Sequence, residues 1–269
     1  MVIERICSID TELKPFLIEM GFSSDYTGQL LREKKNVQIN GRTYDVDFTL
    51  KKGDVVRVTV EDEKTDIWPS DGEIDIVYED EYFLVVNKPS CLASVPTIRH
   101  YSDNLCSRVA GYYVRTNQGC GIHIINRLDY ETKGLVVFAK NRFVCNIAKK
   151  CRIEKMYSAT VEGILKEKEG IVDRPIYKEG KNKKRLIDER GMKAVTAYRV
   201  VSESEEGSFL EFTLKTGRTH QIRLHMASLG HPLTGDTLYG RKEGHFDLCC
   251  RKISFVFPLN GNEYKFELE

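Results

Sequence analysis

Three short stretches of the sequence place polar side chains where a buried core would otherwise be expected. The first is NRLDYETKGLVVFAK, residues 126–140, in which Asp129 follows Arg127 and precedes an apolar run that begins at Leu135. Such a run is typical of a buried strand, so Asp129 is predicted to lie in the loop that leads into it. Loops at strand ends commonly carry catalytic groups. An isolated loop aspartate can also cap a turn, and that alternative stays open.

The second stretch is EKMYSATVEG, residues 154–163. Its alternation predicts a strand that opens at Tyr157 and places Tyr157, Ala159 and Val161 on one face. A tyrosine at the edge of a strand is usually a core residue with its hydroxyl at the rim. An exposed tyrosine would instead offer a flat stacking surface with a polar tip.

The third stretch, KTGRTHQIRLHMASLGHPLTGDTLYG, spans residues 215–240 and is the richest in polar groups. Thr219 is predicted to cap a helix that ends near Gly230. The apolar face of this helix is predicted to consist of Ile222, Met226 and Leu229. Polar side chains crowd its first turn, namely Arg218, His220, Gln221 and Arg223. Two arginines, a histidine and an amide suit a carboxylate or phosphate ligand.

A metal site is the alternative for the third stretch, with His220, His225 and His231 as ligands. The neighbouring arginines disfavour a dication, and no carboxylate completes the set, so no metal site is expected. The eight cysteines contain no CxxC pair and no spacing typical of zinc. Free thiols in a reducing compartment are therefore predicted.

The charge of the chain is unevenly distributed. Its 41 basic and 40 acidic residues nearly cancel, but residues 61–82 contain ten carboxylates and one lysine. The rest of the chain therefore carries 40 basic and 30 acidic residues. Such a surplus attracts phosphate groups, although solvated charged faces are also common on proteins without a polyanionic ligand.

The sequence contains no candidate targeting or membrane segment. The N-terminal MVIERICSID lacks the apolar centre of a signal peptide, and no apolar run approaches the length of a membrane span. We therefore expect a cytoplasmic protein without a membrane partner.

The N-terminal part of the chain is predicted to form a small α/β module over residues 1–62. Candidate helices lie at LKPFLIEMG and SSDYTGQLLREKKN, and the second ends in a basic group formed by Arg32, Lys34 and Lys35. A break at Asn40-Gly41 between alternating segments predicts a hairpin. Acidic residues with Trp-Pro and Asp-Gly breaks predict a linker over residues 63–73.

Residues 74–269 are predicted to form a larger domain of the α+β class. Strand-like segments are IDIVYED, YFLVVNK, LVVFAK, YSATVEG, AVTAYRVV, SFLEFTLK and a final hairpin with Asn260-Gly261 near its turn. Helix candidates are DNLCSRVAGYYVR, NRFVCNIAKKCRI and THQIRLHMASLG. Short polar breaks between strands favour a mixed, largely antiparallel sheet flanked by helices. The basic run over residues 178–193 is predicted to be a flexible loop, with contact to phosphates as the alternative.

These stretches resemble a known family. In order and spacing they are similar to the three motifs of the RluA-type pseudouridine synthases, the matching parts being NRLDYETKG, KMYSATVEG and TGRTHQIRLHMASLGHPLTGDTLYG. A fourth stretch, NKPSCLASVP, is similar to the one that precedes the first motif in that family. The resemblance covers nearly all of residues 74–269 and implies the fold of that family. The order of elements over residues 11–60 resembles the small RNA-binding module called alpha-L.

The resemblance implies roles for individual residues. Asp129 matches the catalytic aspartate, Tyr157 the tyrosine that packs against the target base, and Arg223 the arginine that pairs with the aspartate. Arg127 matches the arginine that fills the space left by the flipped-out nucleotide. The implied substrate-binding residues are Arg127, Leu128, Thr132, Arg218, His220, Gln221 and Ile222.

The sequence departs from the family pattern at two positions. Asn126 stands where the family usually has His, and Lys133 where it usually has Ser. Neither change removes a group that the chemistry needs. The first is expected to alter contacts beside Arg127 and thereby the choice of target.

The resemblance also implies the reaction. A uridine in ribosomal RNA, or in transfer RNA, would be flipped out and isomerised to pseudouridine without metal or cofactor, and a monomer would suffice. Attack on the sugar, attack on the ring and abstraction of a sugar proton all remain open, and each uses a carboxylate that a paired Arg223 keeps ionised. Tyr157 would stack on the uracil.

Two other functions are considered beside this one. A catalytically idle RNA-binding scaffold would show a broken active site, whereas Asp129, Tyr157 and Arg223 are all present. A glycosidic hydrolase would pair two carboxylates across the scissile bond. The nearby carboxylates show no evident partnering pattern in the sequence, namely Glu131, Glu154 and Asp236.

Overall fold

The computed structural model describes residues 1–33, 36–44, 48–61, 65–180, 182–205, 207–241 and 244–269. Some predictions fall outside these ranges, namely those on Lys34 and Lys35, on residues 45–47 of the hairpin, on residues 62–64 of the acidic segment and on Lys181. Within the described ranges, no helix is both long enough and apolar enough to cross a membrane.

The N-terminal elements form a small α/β unit. Its elements are β1 (Val2–Ile6), β2 (Thr11–Glu12), α1 (Leu13–Glu19), α2 (Ser24–Glu33), β3 (Val37–Ile39), β4 (Arg42–Thr43), β5 (Thr49–Leu50) and β6 (Val55–Thr59). Four strands form an antiparallel sheet in the order β1-β6-β3-β4. Both predicted helices are confirmed. The predicted hairpin is also confirmed, since Asn40 and Gly41 take φ values of 52° and 78° between β3 and β4.

The remaining elements surround a larger sheet. They are β7 (Asp75–Glu79), β8 (Phe83–Lys88), α3 (Leu105–Arg115), β9 (His123–Ile124), β10 (Lys133–Ala139), α4 (Arg142–Ala148), β11 (Glu154–Val161), β12 (Glu169–Asp173), β13 (Ile176–Tyr177), β14 (Leu186–Ile187), β15 (Val195–Ser204), β16 (Gly207–Leu214), α5 (Gln221–Ser228), β17 (Cys249–Val256) and β18 (Glu263–Glu267). The predicted segments for α3, α4 and α5 each contain the observed helix.

The large sheet follows the order β12-β15-β16-β11-β17-β10-β8-β7, with β18 beside β17 and β9 beside β10. Its pairs are antiparallel except for β10 and β17, which run parallel. The predicted mixed, largely antiparallel α+β fold is therefore confirmed. β8 and β10 are almost entirely buried, so the loop before β10 starts from a rigid base.

The small unit packs directly on α4. The rings of Phe22 and Phe143 lie 4.3 Å apart between centroids. The Asn146 side-chain amide donates a hydrogen bond to the carbonyl of Gly21. Close packing of aromatic rings across such a contact excludes water, so the small unit is held against the helix that follows β10.

The loop between β9 and β10 is held by the segment that follows β8. The Ser94 hydroxyl donates to the Leu128 carbonyl at 2.6 Å and accepts from the Leu128 amide at 3.0 Å. The Ser90 hydroxyl donates to the Glu131 carbonyl at 2.7 Å. These bonds fix the backbone on both sides of Asp129. They also explain the polar residues of NKPSCLASVP, which brace this loop.

Lys88 stabilises the same loop from the protein interior. Its side chain is fully buried, and its ammonium group donates to the carbonyls of Leu92 at 2.8 Å, Pro89 at 2.9 Å and Tyr130 at 3.3 Å. Burial lowers the pKa of Lys88 from 10.5 to about 8, against the attraction of Asp129 and Cys91. A buried ammonium that binds only carbonyls is stabilised by hydrogen bonds and by the nearby carboxylate.

Gly134 sits where β10 meets β17 in the parallel pair. Its φ is +110°, and a Cβ at this position would lie 2.4 Å from the Cys250 carbonyl oxygen and 2.6 Å from the Cys250 amide nitrogen. Both atoms belong to backbone, which cannot move away as a flexible side chain would. Only glycine therefore allows this junction.

We predict that Gly134→Ala lowers the free energy of unfolding by roughly 3 kcal/mol or more, because strain and overlap add. Gly261→Ala is the matched control, since Gly261 has a φ of +71° and no atom within 4 Å of an added Cβ. It should lose about 1 kcal/mol from strain alone. Urea unfolding measures both losses, and equal losses would contradict the steric argument.

A second prediction concerns the pH dependence of Lys88. Between about pH 8 and 10.5 the unfolded chain binds more protons at this lysine than the folded protein, so its contribution to stability rises with pH. Relative to Lys88→Met, the wild type should gain up to about 3 kcal/mol across this window, measured by urea unfolding. The exposed Lys166→Met gives the control. A wild-type advantage that stays flat with pH would contradict the prediction.

Candidate active site

A cavity of about 780 Å³ opens beside the loop that carries Asp129. The loop between β9 and β10, the strand β11 and the start of α5 form its walls. All ten residues predicted for the site line it, namely Arg127, Leu128, Asp129, Thr132, Tyr157, Arg218, His220, Gln221, Ile222 and Arg223. Residues distant in sequence are thus brought together around one carboxylate.

Asp129 faces the N-terminus of α5. Its side chain is half-buried, and its Oδ2 accepts a hydrogen bond from the His220 backbone amide at 3.4 Å. The Thr132 amide donates to the Asp129 carbonyl at 3.1 Å and closes the turn of the loop. The unpaired amides and the dipole at a helix N-terminus stabilise a nearby anion. Asp129 therefore lies in a setting that suits a carboxylate.

The predicted cap of α5 is wrong by one residue. His220, and not Thr219, occupies the N-cap position, and it makes no side-chain cap bond. Its backbone is left-handed with a φ of 58°, which is strained for a residue with a Cβ. This conformation lets the backbone turn towards Asp129. The end of the helix follows the prediction, because the amides of Gly230 and His231 bind the carbonyls of Ala227 and Met226.

Arg223 does not pair with Asp129, contrary to the prediction. Its guanidinium binds Asp236 through two bonds, Nε to Oδ2 at 2.8 Å and Nη2 to Oδ1 at 2.7 Å. A third contact runs from Nη1 to Glu131 Oε2 at 2.9 Å. Glu131 and Asp236, for which the sequence showed no evident partnering pattern, thus share one arginine. The arginine thus links α5 to the residue two positions after Asp129.

The Arg223 network is buried and electrostatically matched. The Arg223 and Asp236 side chains are 2% and 0% exposed. Burial disfavours the charge on Asp236, but Arg223 and the amides of Tyr239 and Leu238 outweigh burial and lower the pKa of Asp236. Burial likewise opposes the charge on Arg223, whereas Asp236 raises its pKa. The guanidinium also stacks on the Phe246 ring at 4.8 Å.

The side-chain amide of Gln221 is hydrogen-bonded entirely within the protein. Its Nε2 donates to the Val195 carbonyl and to the Thr196 hydroxyl, each at 3.0 Å. Its Oε1 accepts from the Arg218 amide at 3.0 Å and from the Thr216 hydroxyl at 2.8 Å. The amide has no remaining donor, so Gln221 shapes the cavity wall and fixes the start of α5.

Tyr157 lies inside β11, which opens at Glu154 rather than at Tyr157 as predicted. Its side chain is 7% exposed, and the register of β11 against β17 shifts between Met156 and Tyr157. Burial, with the Cys250 thiol beside the hydroxyl, raises the pKa of Tyr157 well above 10. The hydroxyl therefore stays neutral, and the ring forms part of the cavity wall.

The cluster predicted at the first turn of the helix is split between the surface and the interior. Arg127, which lies outside this cluster, is exposed and forms no ion pair with any described residue. Arg218 donates from Nε to the Lys193 carbonyl at 3.1 Å. The buried His225 bonds to Thr196 and Arg174. An open anion site formed by Arg218 and Arg223 together is therefore absent from the described residues, since Arg223 is bound to Asp236 and Glu131.

Several residues at the cavity were not predicted from the sequence. Lys149 and Lys155 line it, and burial lowers the pKa of Lys155. Lys155 precedes Tyr157 by two positions on the same strand, and this spacing was the available signal. His100 and Tyr130 stack at 4.8 Å between centroids on the wall of the cavity. No local pattern links these two residues, because the contact joins distant parts of the chain.

The two departures from the family pattern have structural partners. The Asn126 side chain is buried, donating to the Leu135 carbonyl at 3.0 Å and accepting from the Val137 amide at 2.9 Å. It therefore pins the loop to β10. Lys133 forms an ion pair with Asp247 at 2.5 Å. Each of the three carboxylates considered for a hydrolase forms an ion pair: Glu131 and Asp236 share Arg223, and Glu154 pairs with Arg152.

Comparison with known proteins agrees with this architecture. The family model described as RNA pseudouridylate synthase matches residues 82–228. An uncharacterized RNA pseudouridine synthase of Bacillus subtilis, YjbO, is 34% identical over 94% of this chain and 93% of its own length. The ribosomal large subunit pseudouridine synthase D of Zymomonas mobilis is 33% identical over 75% of this chain and 70% of its own.

Two further similarities involve a Vibrio enzyme and a human structure. The dual-specificity RNA pseudouridine synthase RluA of Vibrio cholerae is 38% identical over 65% of this chain and 72% of its own length. The solved human RNA pseudouridylate synthase domain containing 1 has a TM-score of 0.61 and 23% identity, covers 74% of this chain and 84% of its own, and supports the fold. The chain belongs to the RluA-type family of RNA pseudouridine synthases.

Proposed function

We propose that the protein isomerises specific uridines of ribosomal RNA to pseudouridine, with Asp129 as the catalytic carboxylate and transfer RNA as the alternative substrate. The names of two relatives support this choice, since one is a ribosomal large subunit synthase and the other a dual-specificity RNA synthase. The observation that carries the proposal is the cavity itself. It gathers Asp129, Tyr157 and the start of α5 from three separate segments.

The reaction is an isomerisation whose atoms balance within the substrate. The bond from ribose C1′ to uracil N1 breaks, and a bond from C1′ to C5 forms. The proton on C5 leaves, and N1 gains one. No oxidant, reductant or hydrolytic water enters this balance. The three routes described above all require an ionised carboxylate next to the nucleoside, and Asp129 supplies it in this proposal.

The cavity walls suit a flipped-out uracil. The Tyr157 ring gives a stacking surface that contributes on the order of 1–3 kcal/mol. Leu128 and Ile222 are buried apolar neighbours that exclude water from the carboxylate. Extruding a base from RNA costs a few kcal/mol, and stacking offsets part of that cost.

Cations around the cavity are proposed to bind the RNA backbone and to fill the space that the flipped-out nucleotide leaves. Arg127 is exposed, carries no ion pair among the described residues and is close to Asp129 in sequence, so it can occupy the space that the flipped nucleotide leaves. Lys149 and Lys155 line the same cavity. Phosphate contacts of this kind supply affinity and orientation rather than sequence choice.

Arg223 is proposed to position the catalytic loop. It sits on α5, whose N-terminus faces Asp129, and its Nη1 binds Glu131 on the same loop. Helix and loop are therefore fixed relative to each other. In this proposal the arginine acts through Glu131 and through its charge, without direct contact to Asp129.

The small N-terminal unit is proposed to be an alpha-L-like RNA-binding module over residues 1–62, joined by a linker at 63–73 to a catalytic domain at 74–269. Its contact with α4 supports a position near the RNA. Phe22 packs on one end of α4, and Lys149, directly after the other end, lines the cavity. RNA bound in the cavity would then pass close to this unit.

The test of the proposed function is a map of pseudouridines across total RNA from cells that lack the gene. The cells are complemented with the wild type or with Asp129→Asn. A uridine that is modified only with the wild type would establish both activity and substrate. An unchanged map, with RNA binding retained in vitro, would instead support the idle scaffold.

We predict that Asp129→Asn lowers the rate of isomerisation by on the order of 10³-fold or more, because the amide carries no charge and is a poor nucleophile and base. RNA affinity should stay within a few-fold of wild type. Asp71→Asn is the matched control, since Asp71 is exposed and lies outside the cavity. Undiminished turnover by Asp129→Asn would contradict the assignment of Asp129 as the catalytic carboxylate.

Tyr157 is predicted to act through its ring. Tyr157→Phe keeps the stacking surface and removes a hydroxyl that is neutral and buried beside Cys250, so single-turnover rates should stay within about threefold. Tyr157→Ala should lose roughly 5- to 150-fold in catalytic efficiency, in line with one lost base stack. If Tyr157→Phe is as damaged as Tyr157→Ala, the hydroxyl takes part in proton transfer.

A further inference from the structure

The basic run predicted to be a flexible loop is folded into an arm over α5. β13 and β14 pair antiparallel, with Ile176 opposite Ile187 and Tyr177 opposite Leu186. We call residues 178–180 and 182–193 the basic arm. Leu224 of α5 packs in the same buried cluster as Ile176 and Ile187. The arm is therefore held in a defined position next to the cavity.

The arm presents cations that the protein itself does not neutralise. Arg190 is an exception, since it forms a two-bond ion pair with Asp188 at 2.9 and 2.6 Å. The cations without an ion pair to any described residue are Lys178, Lys183, Lys184, Arg185 and Lys193. The Lys193 carbonyl accepts from Arg218, which lines the cavity. A cationic strip thus runs from the arm to the cavity mouth, and it suits RNA phosphates.

Tyr239 connects the arm to the site. Its hydroxyl accepts a hydrogen bond from the Arg185 backbone amide at 2.7 Å. The Lys184 ammonium lies 5.4 Å from the centre of its ring. The same hydroxyl lies 3.1 Å from Nδ1 of His220. One phenol therefore contacts both the arm and the residue whose amide binds Asp129.

The Tyr239 hydroxyl can both accept and donate a hydrogen bond. The Arg185 amide can only donate, so the Tyr239 oxygen accepts there and its own proton is free to bond His220. In the neutral ring with its proton on Nε2, His220 Nδ1 accepts that proton. Burial lowers the pKa of His220, and the charges of Arg223 and Arg185 add to this effect against Asp129. A His220 pKa below 6.5 leaves the ring neutral at pH 7, which agrees with Nδ1 acting as an acceptor.

We propose that Tyr239 is a positioning residue through which the basic arm, when it holds RNA phosphates, fixes His220 and thereby the Asp129 carboxylate. This inference rests on the proposed function. The path is short, since Arg185 binds Tyr239, Tyr239 binds His220, and the His220 amide lies 3.4 Å from Asp129 Oδ2. His220 is strained at a φ of 58°, so its orientation needs external support.

The test uses the full chain and total RNA labelled with [5-³H]uridine from cells that lack the gene. Release of tritium from C5 reports isomerisation in a single turnover, and filter binding reports RNA affinity. Tyr239→Phe removes only the hydroxyl and keeps the ring against Lys184 and Arg223. We expect it to lower the single-turnover rate about 10-fold at saturating enzyme, with RNA affinity within about twofold.

Tyr112→Phe is the matched control. It also removes a hydrogen-bonded tyrosine hydroxyl, the one that donates to Glu79 at 2.5 Å, and Tyr112 does not line the cavity. Its rate should equal that of the wild type. Thermal unfolding of each variant shows whether the fold is retained, so a lost rate can be separated from a lost structure.

A double-mutant cycle separates coupling from a structural role. Replacing Lys183 and Lys184 together by Gln should weaken RNA binding and lower the rate in the wild type. In the Tyr239→Phe background the same replacement should still weaken binding but lower the rate no further, because the connection is already broken. Additive losses of rate, or a wild-type rate in Tyr239→Phe, would overturn the inference. A wild type that binds RNA but releases no tritium would overturn the proposed function as well.

Discussion

The buried guanidinium of Arg223 is the interaction on which the site depends. A charge taken out of water is tolerated only with full pairing, and removal of one partner of such a pair typically costs about 3–5 kcal/mol. Arg223 is paired on two sides, by Asp236 from the turn after α5 and by Glu131 from the loop that carries Asp129. Because one buried cation pairs with two carboxylates, α5, the turn that carries Asp236 and the loop that carries Glu131 are held in a single arrangement.

A second buried cation supports the loop from the opposite side. Lys88 binds three carbonyls, one of them that of Tyr130, next to Asp129. The loop is thus held between an arginine that binds a side chain and a lysine that binds backbone. Neither contact uses the Asp129 carboxylate itself, which leaves its oxygens available to the cavity. The loop is therefore rigidly supported while the Asp129 carboxylate stays accessible from the cavity.

The fold class could be predicted from local patterns, whereas the cavity residues were predicted from the resemblance of three stretches to a known family. Asn-Gly turns form hairpins through their own φ preferences, and helices begin at Asn104 and Asn141 through side-chain caps. The partner of Arg223 could not be predicted, since three carboxylates compete for it and only the tertiary arrangement decides. The N-cap at His220 was missed because a left-handed histidine is stabilised by contacts from other segments, which no local rule contains.

The parallel pairing of β10 with β17 has a consequence for how the site is assembled. The Lys133 amide, at the end of the loop that carries Asp129, binds the Leu248 carbonyl, and Gly134 pairs with Cys250. Among the described residues, six strands and two helices lie between β10 and β17. Contacts so distant along the chain form late in folding. During synthesis the loop that carries Asp129 therefore acquires its final support only after β17 has been made.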